Sequence, residues 1–190
     1  MDELMFRVDE AGYLHITLHG PTWYATNATL EDATFLISLF MDESVMKWYG
    51  KGASPDAADV LARTLDLWLP RFQQGEPHGG LIVRLRSNDN PVGFVLVGSS
   101  GVAGTGSIAY AFERSVWNTG LASSVVAAMV KTWAPQVVQA GFRVYNGRTL
   151  ERIDANVHVD NKASRALLTR VGFSVIDDTT TTWKLRLHVG

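Results

Sequence analysis

Seven consecutive residues near the middle of the chain, Trp117-Asn-Thr-Gly-Leu-Ala-Ser123, are of the types that hold an anion. Asn118, Thr119 and Ser123 bring small polar groups without bulk, and Gly120 permits close backbone approach or a positive φ. Downstream, Leu121, Val125, Met129 and Trp133 recur at helical spacing. Upstream, Gly106 to Phe112 carries Ile108, Tyr110 and Phe112 in alternation, which predicts a strand. The seven residues therefore stand where a strand turns into a helix. A helix's first turn has N–H groups without internal partners and the positive end of the dipole. Phosphate is the natural ligand of such a turn. The Gly101-x-x-Gly104-x-Gly106 spacing upstream is not a dinucleotide fingerprint, because a strand and not a helix follows it.

The other elements must position this turn. Leu14-His-Ile-Thr-Leu-His19 alternates as a strand, Gly20-Pro21 breaks it, and Trp23 to Thr26 predicts a second short strand. Leu30, Ala33, Ile37 and Phe40 make a helical stripe with Thr29 as its N-cap and Asp42-Glu43 at its end. Ser54-Pro55 predicts a helix start, with Ala57, Leu61, Leu65, Trp68 and Phe72 on one face and Pro70 kinking or ending it. After a loop from Gly75 to Gly80, Leu81 to Arg86 and Pro91 to Val97 predict strands, joined as a hairpin by Ser87-Asn-Asp-Asn90. The 142–152 stretch carries Asn146-Gly147, a two-residue turn signal. Arg152 to Val159 predicts a strand, and Asn161 caps a helix with Ala163, Leu167 and Val171 on its apolar face. Gly172-Phe173 ends that helix, Phe173 to Ile176 predicts a strand, and Trp183, Leu185, Leu187 and Val189 alternate in a last, half-buried one. This mixture suits an α+β or mixed α/β domain.

The 190 residues fit one domain, 1–190, with a single good core. Apolar residues make up 46% and charged residues 19%, so the chain is globular and not disordered. A net charge of -2 argues against nucleic-acid binding by phosphate neutralisation. Without cysteine there is no disulfide, thiolate zinc site or thiol nucleophile. No apolar run of about 18 residues stands out, so no membrane span is expected. The acidic N-terminus lacks a signal-peptide core, which makes a cytoplasmic chain the expectation. Asn27-Ala-Thr29 fits the glycosylation pattern but, without a secretory route, reads as chance. His15 and His19 share a strand face without a third ligand, so no metal is expected.

Trp117-Asn-Thr-Gly-Leu-Ala122 resembles the Gln/Arg-x-x-Gly-x-Gly/Ala signature of the GNAT acetyltransferases. More narrowly it resembles the Trp-Gly-Lys-Gly-Tyr-Ala form of RimJ/RimL-like N-acetyltransferases, with Asn118 where that subfamily often has Gly. Leu30-Glu-Asp-Ala33 resembles the subfamily's first helix and Asp42 to Tyr49 its next loop. Ile108-Ala-Tyr110 resembles its Ile-Gly-Tyr strand, Ala155 to Ser164 its Ala-x-Val-x-x-x-Asn-x-x-Ser segment, and Val171-Gly-Phe173 its Leu-Gly-Phe. The resemblance runs from Thr29 to Phe173. It implies a GNAT fold, a mixed and mostly antiparallel central sheet flanked by helices. It also implies acetyl transfer from acetyl-CoA to a primary amine by direct attack, the amine being a protein N-terminus or a small molecule. A homodimer is compatible with it. The competing class is a catalytically silent GNAT module that keeps acyl-CoA as a sensor.

On the same resemblance, Trp117, Asn118, Thr119, Gly120, Leu121, Ala122 and Ser123 hold the pyrophosphate, and the strand with Tyr110 and Phe112 splays so that pantetheine pairs with its backbone. A backbone N–H there polarises the thioester oxygen. Asn161 is a helix N-cap by residue preference, and the resemblance adds a contact to the pantetheine arm. Ser164, one turn on, is a solvated hydroxyl in the bland reading and a proton donor to the leaving thiolate in the family reading. Many GNAT enzymes place a Tyr four residues further, where this chain has Leu168. The general base is open: many relatives carry Glu where Ser107 stands, and Glu113, His158, Asp177 and Asp178 are the titratable groups nearby. Tyr49 and the Gly75 to Gly80 loop border the acceptor site by analogy.

Overall fold

Alternating apolar residues assemble into a nine-stranded, mostly antiparallel sheet. Its strands are β1 (Glu3–Val8), β2 (Leu14–His19), β3 (Trp23–Asn27), β4 (Leu81–Leu85), β5 (Pro91–Ser99), β6 (Thr105–Phe112), β7 (Arg152–His158), β8 (Ser174–Asp178) and β9 (Thr182–His188). They lie in the order β1-β2-β3-β4-β5-β6-β7-β9-β8, and β6 and β7 run parallel. The helices are α1 (Ala33–Met41), α2 (Glu43–Met46), α3 (Ala57–Arg63), α4 (Leu65–Gln73), α5 (Leu121–Ala128), α6 (Ala134–Gln139) and α7 (Lys162–Val171). The structure, a computed structural model, describes residues 3–50, 52–54, 56–144 and 147–190. The chain divides into two compact units, one of residues 1–96 and 110–119, the other of 97–109 and 120–190.

In the first unit, Leu14, Ile16 and Leu18 of β2 point to the core while His15, Thr17 and His19 face outward. Phe94 of β5 is the centre of an aromatic cluster, stacked on Phe40 at 5.2 Å with Trp68 at 5.4 Å and Tyr49 edge-on at 5.7 Å. Two polar side chains hold this unit from inside. The Asn27 amide accepts from Ile16 N at 2.6 Å and donates to Leu14 O at 2.7 Å, which extends the β2–β3 pairing by one side chain. It is 7% exposed and fully engaged, so the Asn27-Ala-Thr29 pattern has a structural origin. Asp32, 3% exposed, accepts from the Thr29 amide and hydroxyl and from the Arg84 guanidinium, tying the start of the first helical segment to β4.

In the second unit, β7 pairs with β9 from Arg152↔His188 to His158↔Thr182. Ile153, Ala155 and Val157 of β7 are buried, as are Val125 of α5 and Leu168 and Val171 of α7. Asp154, also buried, points to the other face of β7, with Ser107 beside it on β6 and Arg186 opposite on β9. Its carboxylate takes both arms of the Arg186 fork at 2.7 and 2.8 Å, with Lys184 at 3.3 Å. Burial pushes this carboxyl up, but Arg186 and then Lys184 more than offset that and hold it below the ordinary aspartate range.

Several expectations need correction. Strand β1 is absent from the pattern reading because only Leu4 of its six residues is buried. The first helical stripe is shifted: a 3-10 turn over Leu30–Asp32 precedes α1, and Leu36, Leu39 and Phe40 are buried while Leu30 is 72% exposed. The expected long helix is two, broken at Thr64, whose hydroxyl bonds Val60 O at 2.6 Å. Its N-cap is Asp56 and not Ser54; Pro55 lies outside the described residues. Pro70 sits within α4 without ending it. On α7 the buried side chains are Leu167, Leu168 and Val171, not Ala163. Asn146 of the expected turn also lies outside the described residues, and Val144 bridges Arg148 around it. The helical run Leu121–Gln139 is 19 residues and, by length and composition alone, apolar enough to cross a membrane. Half of it is buried inside the protein, as in the core helix of a folded domain. It contains a π-helical segment over Met129–Trp133.

Because the Asp154 carboxyl is depressed in the folded state, its contribution is present above the ordinary aspartate pKa of about 3.9 and fades as pH falls below it. Urea unfolding between neutral pH and pH 3 is expected to show Asp154→Asn less stable at neutral pH, by about 1 to 3 kcal/mol, with a flatter decline on acidification. Parallel curves for parent and variant would remove Asp154 from the acid sensitivity.

Candidate functional site

Helices that leave loops must find acceptors for their first N–H groups. Here Asp42 caps α2, Asp56 caps α3 and Asn161 caps α7, each with its side-chain oxygen. The helix after the Trp117 turn is different. The N-cap of α5 is Gly120, with φ 86°, and no side chain caps it. A Cβ on Gly120 would meet nothing within 4 Å, so the glycine is required by its left-handed backbone and not by crowding. Asn118 is left-handed too, at φ 61°. Asn is among the non-glycine residues that tolerate this region best, so the turn keeps its shape without a glycine there.

Trp117 braces the approach to the turn. Its indole Nε1 donates to Phe112 O at 2.8 Å while its ring stays 45% exposed. Thr119 Oγ1 donates to Val116 O at 2.8 Å. Asn118, Thr119 and Gly120 are exposed, Ala122 and Ser123 are half-buried, and Leu121 is buried. On β6, Phe112 is 5% exposed, so a ligand would meet its backbone and not its ring; Tyr110 is half-buried with its ring 6.3 Å from that of Phe112. Among the described residues, the parallel register of β6 with β7 covers Thr105, Gly106 and Ser107 and stops there.

Asn161 and Ser164 share the first turn of α7, which packs against α5 within the second unit. Asn161 Oδ1 accepts from Ser164 N at 3.1 Å, so a further contact from this side chain falls to its Nδ2. Ser164 is half-buried. Leu168, one turn on, is 1% exposed and belongs to the core. Of the other candidates, His158 Nδ1 accepts from Asp160 N at 3.1 Å, and Asp177 and Asp178 lie on the exposed strand β8. Tyr49 sits in the aromatic cluster, while Gly79 and Gly80 lie so close to Phe72 and Trp68 that a Cβ would clash at 2.4 and 2.3 Å.

Two hollows escape pattern reading. One, of about 640 Å³, borders the β1–β2 turn, where Asp9 accepts from Ala11 N and Tyr13 N and pairs with His15 Nε2 at 2.9 Å. The other, of about 280 Å³, is lined by Ser38, Asp42, Val45, Glu113, Arg114 and Ser115, with Leu39 as a further wall. The two stretches that build it are far apart in the chain, and no spacing rule links them. Among the described residues, no group of three His, Asp or Glu side chains could hold a metal ion.

Residues 26–174 match the family described as acetyltransferase (GNAT) domain. No curated protein sequence matches the chain. Solved structures do. The spermidine N-acetyltransferase of Vibrio cholerae, in complex with CoA and spermine, superposes with a TM-score of 0.71 at 11% identity, over 88% of this chain and 96% of that one. The ribosomal-protein-S5-alanine acetyltransferase of Vibrio fischeri gives 0.68 at 14% identity, over 91% and 96%. RimL, the ribosomal L7/L12 α-N-protein acetyltransferase, in complex with coenzyme A, gives 0.70 at 13%, over 90% and 96%. At these identities the likeness is one of fold.

The turn's conformation is open to a simple check. Asn118→Ala is expected to cost about 1 kcal/mol, because alanine pays for a left-handed backbone that asparagine tolerates. Asn118→Gly is expected to match the parent or exceed it. Urea midpoints for the three proteins decide this, and an alanine variant as stable as the parent would mean the turn does not need that backbone.

Proposed function

Because the chain belongs to the GNAT acetyltransferase family, we propose that, as its resemblance to the RimJ/RimL-like enzymes implies, it moves the acetyl group of acetyl-CoA onto a primary amine, with the cosubstrate's pyrophosphate on the first turn of α5, which no side chain caps. The single observation that carries the reading is that α5 leaves its loop without a side-chain cap, while α2, α3 and α7 each have one. An anionic diphosphate supplies what a capping carboxylate supplies elsewhere. Gly120, with open space where a Cβ would stand, lets it approach the backbone. The end of the β6–β7 register at Ser107 supports the second half of the assignment, main-chain pairing with pantetheine. We take 1–190 as one functional domain, since the family match runs through both compact units.

The acetyl thioester supplies an activated carbonyl carbon. The acceptor nitrogen must first lose a proton, with a pKa near 8 for an α-amine or about 10.4 for Lys. The new C–N bond forms as the C–S bond breaks, and the departing sulfur takes up a proton. Ser164 is our donor for that proton, and Asn161 holds the turn that carries it. Ser107 and Leu168 take the places where many relatives have Glu and Tyr, so acid–base help from those two positions is missing. That observation favours the second reading, a silent acyl-CoA sensor. Free-thiol release from acetyl-CoA with a panel of amines separates the two, since a sensor binds CoA and releases none.

Gly120→Val is expected to abolish CoA binding while the protein stays folded, because a β-branched residue cannot adopt φ near 86°. Calorimetric titration of CoA into parent and variant measures this. Equal affinities would sink the phosphate-turn assignment. Ser164→Ala is expected to lower kcat by about 10²-fold or less, since a thiol of pKa about 8.5 already leaves fairly well near neutral pH. CoA affinity should hold, because the cap uses the Ser164 backbone and not its hydroxyl. An unchanged kcat at every pH would hand proton delivery to water.

A further inference from the structure

Strand β1 forms one edge of the sheet and pairs with β2 alone. An edge strand presents a row of main-chain N–H and C=O groups to whatever comes alongside. Such edges are ordinarily blunted by Pro, by Lys, by a bulge or by a charge pointing inward. The β1 sequence, Glu-Leu-Met-Phe-Arg-Val, has none of these. Its register to β2 is unbroken from Glu3↔His19 to Val8↔Leu14. Glu3, Met5 and Arg7 stand opposite His19, Thr17 and His15 and share their outward face. Leu4 and Phe6 turn to the other face, Leu4 buried and Phe6 half-buried. The outward face of β1 thus carries one acid and one base, placed evenly on either side of Met5, which is 48% exposed.

We propose that β1 is the docking surface for a second copy of this chain, the two strands pairing antiparallel about a two-fold axis at Met5. Charge complementarity selects this occupant and this register. Directly opposed residues of an antiparallel pair share a face, so a two-fold axis normal to the sheet must pass between one residue and its own copy. Centred on Leu4, it sets Glu3 against Met5; centred on Phe6, it sets Arg7 against Met5. Centred on Met5, it sets Glu3 against Arg7 twice and Leu4 against Phe6 twice. Opposite charges facing each other across a strand pair attract, and like charges there repel. The other edge does not offer the same match. Strand β8, Ser-Val-Ile-Asp-Asp, carries two acids and no base, so β1 laid on it leaves Glu3 without a cation. Pairing β1 with β1 uses the same patch on both copies, so association stops at the dimer.

Sedimentation velocity from about 1 µM to about 1 mM tests the proposal. The parent is expected to pass from monomer to dimer within this range, because one added strand is a small interface. Glu3→Arg and Arg7→Glu are each expected to weaken association by about 10-fold or more, since each turns two attractive cross-strand pairs into two repulsive ones. The double exchange E3R/R7E, which keeps the parent's net charge, is expected to restore it. Mixing the two single variants is expected to restore it as well, because one then offers two cations where the other offers two anions. Circular dichroism checks the fold of each variant, and cross-linking decides where an exchange does not fold. The chain has no cysteine, so an introduced thiol reports on its own position. Met5→Cys sets two thiols directly opposite, with Cβ atoms about 5 Å apart, and is expected to give a disulfide dimer under oxidised glutathione. Val8→Cys lies about 20 Å along the ribbon from its own copy and is expected to give none. The proposal is overturned if the parent stays monomeric at about 1 mM or assembles beyond the dimer. It is equally overturned if the single exchanges dimerise like the parent, if the double exchange does not recover, or if V8C cross-links as readily as M5C.

Discussion

The first turn of a helix is a debt of unpaired N–H groups, and this chain settles it with acidic or amide side chains almost everywhere a helix leaves a loop. Asp42, Asp56 and Asn161 each turn an oxygen back onto the first turn. At α5 the chain does the opposite. The backbone swings through left-handed conformations at Asn118 and Gly120, which carries it into the helix with no side chain over the amides. A helix start without a side-chain cap is one that an anion or water can join. Trp117 fixes the lead-in, its indole donating to the Phe112 carbonyl.

Buried carboxylates do complementary work in each unit. Asp32 joins the start of the first helical segment to Arg84 of β4. Asp154 joins β7 to Arg186 of β9, beside Ser107 on β6. Its place next to Ser107 invites comparison with the Glu that many relatives carry there. The comparison fails on electrostatics. Asp154 is committed to a two-armed guanidinium and a lysine, which hold its carboxyl below the ordinary aspartate range. A carboxylate in that state is a weak base. Its observed role is to tie β7 to β9 through the Arg186 fork.

What could be read from the residues was what the chain states locally. The turn from Trp117 to Ser123 is contiguous, so its types and order disclosed the strand-to-helix geometry, with Gly120 at the helix start. Strands with strict alternation, β2 above all, were equally plain. Strand β1 was not, because it lies at the edge and buries only Leu4, which leaves no period to detect. The α3–α4 break was hidden because its cause is the hydroxyl of Thr64 turned onto a carbonyl inside the core. The phase of α1 slipped because the Thr29–Asp32 hydrogen bonds spend Leu30 to Asp32 on a 3-10 turn before the α-helix begins. The Asp42–Arg114 hollow was beyond reach, since its walls come from two stretches that only folding brings together.

Strand β8 closes one side of the sheet, next to β9, and every residue from Ser174 to Asp178 is exposed. Val175 and Ile176 stand 43% and 45% open to solvent. An exposed outer strand with two adjacent β-branched residues is the kind of surface on which chains stick to one another and grow into fibrils. Asp177 and Asp178 complete the strand. A second copy laid against the first would bring four carboxylates into one short ribbon, and Lys184, opposite Asp177, already leans toward Asp154. Two charges at the end of this strand thus oppose edge-to-edge pairing there. Neutralising them, by acid or by exchange for amides, would loosen that opposition without touching the fold that lies behind it.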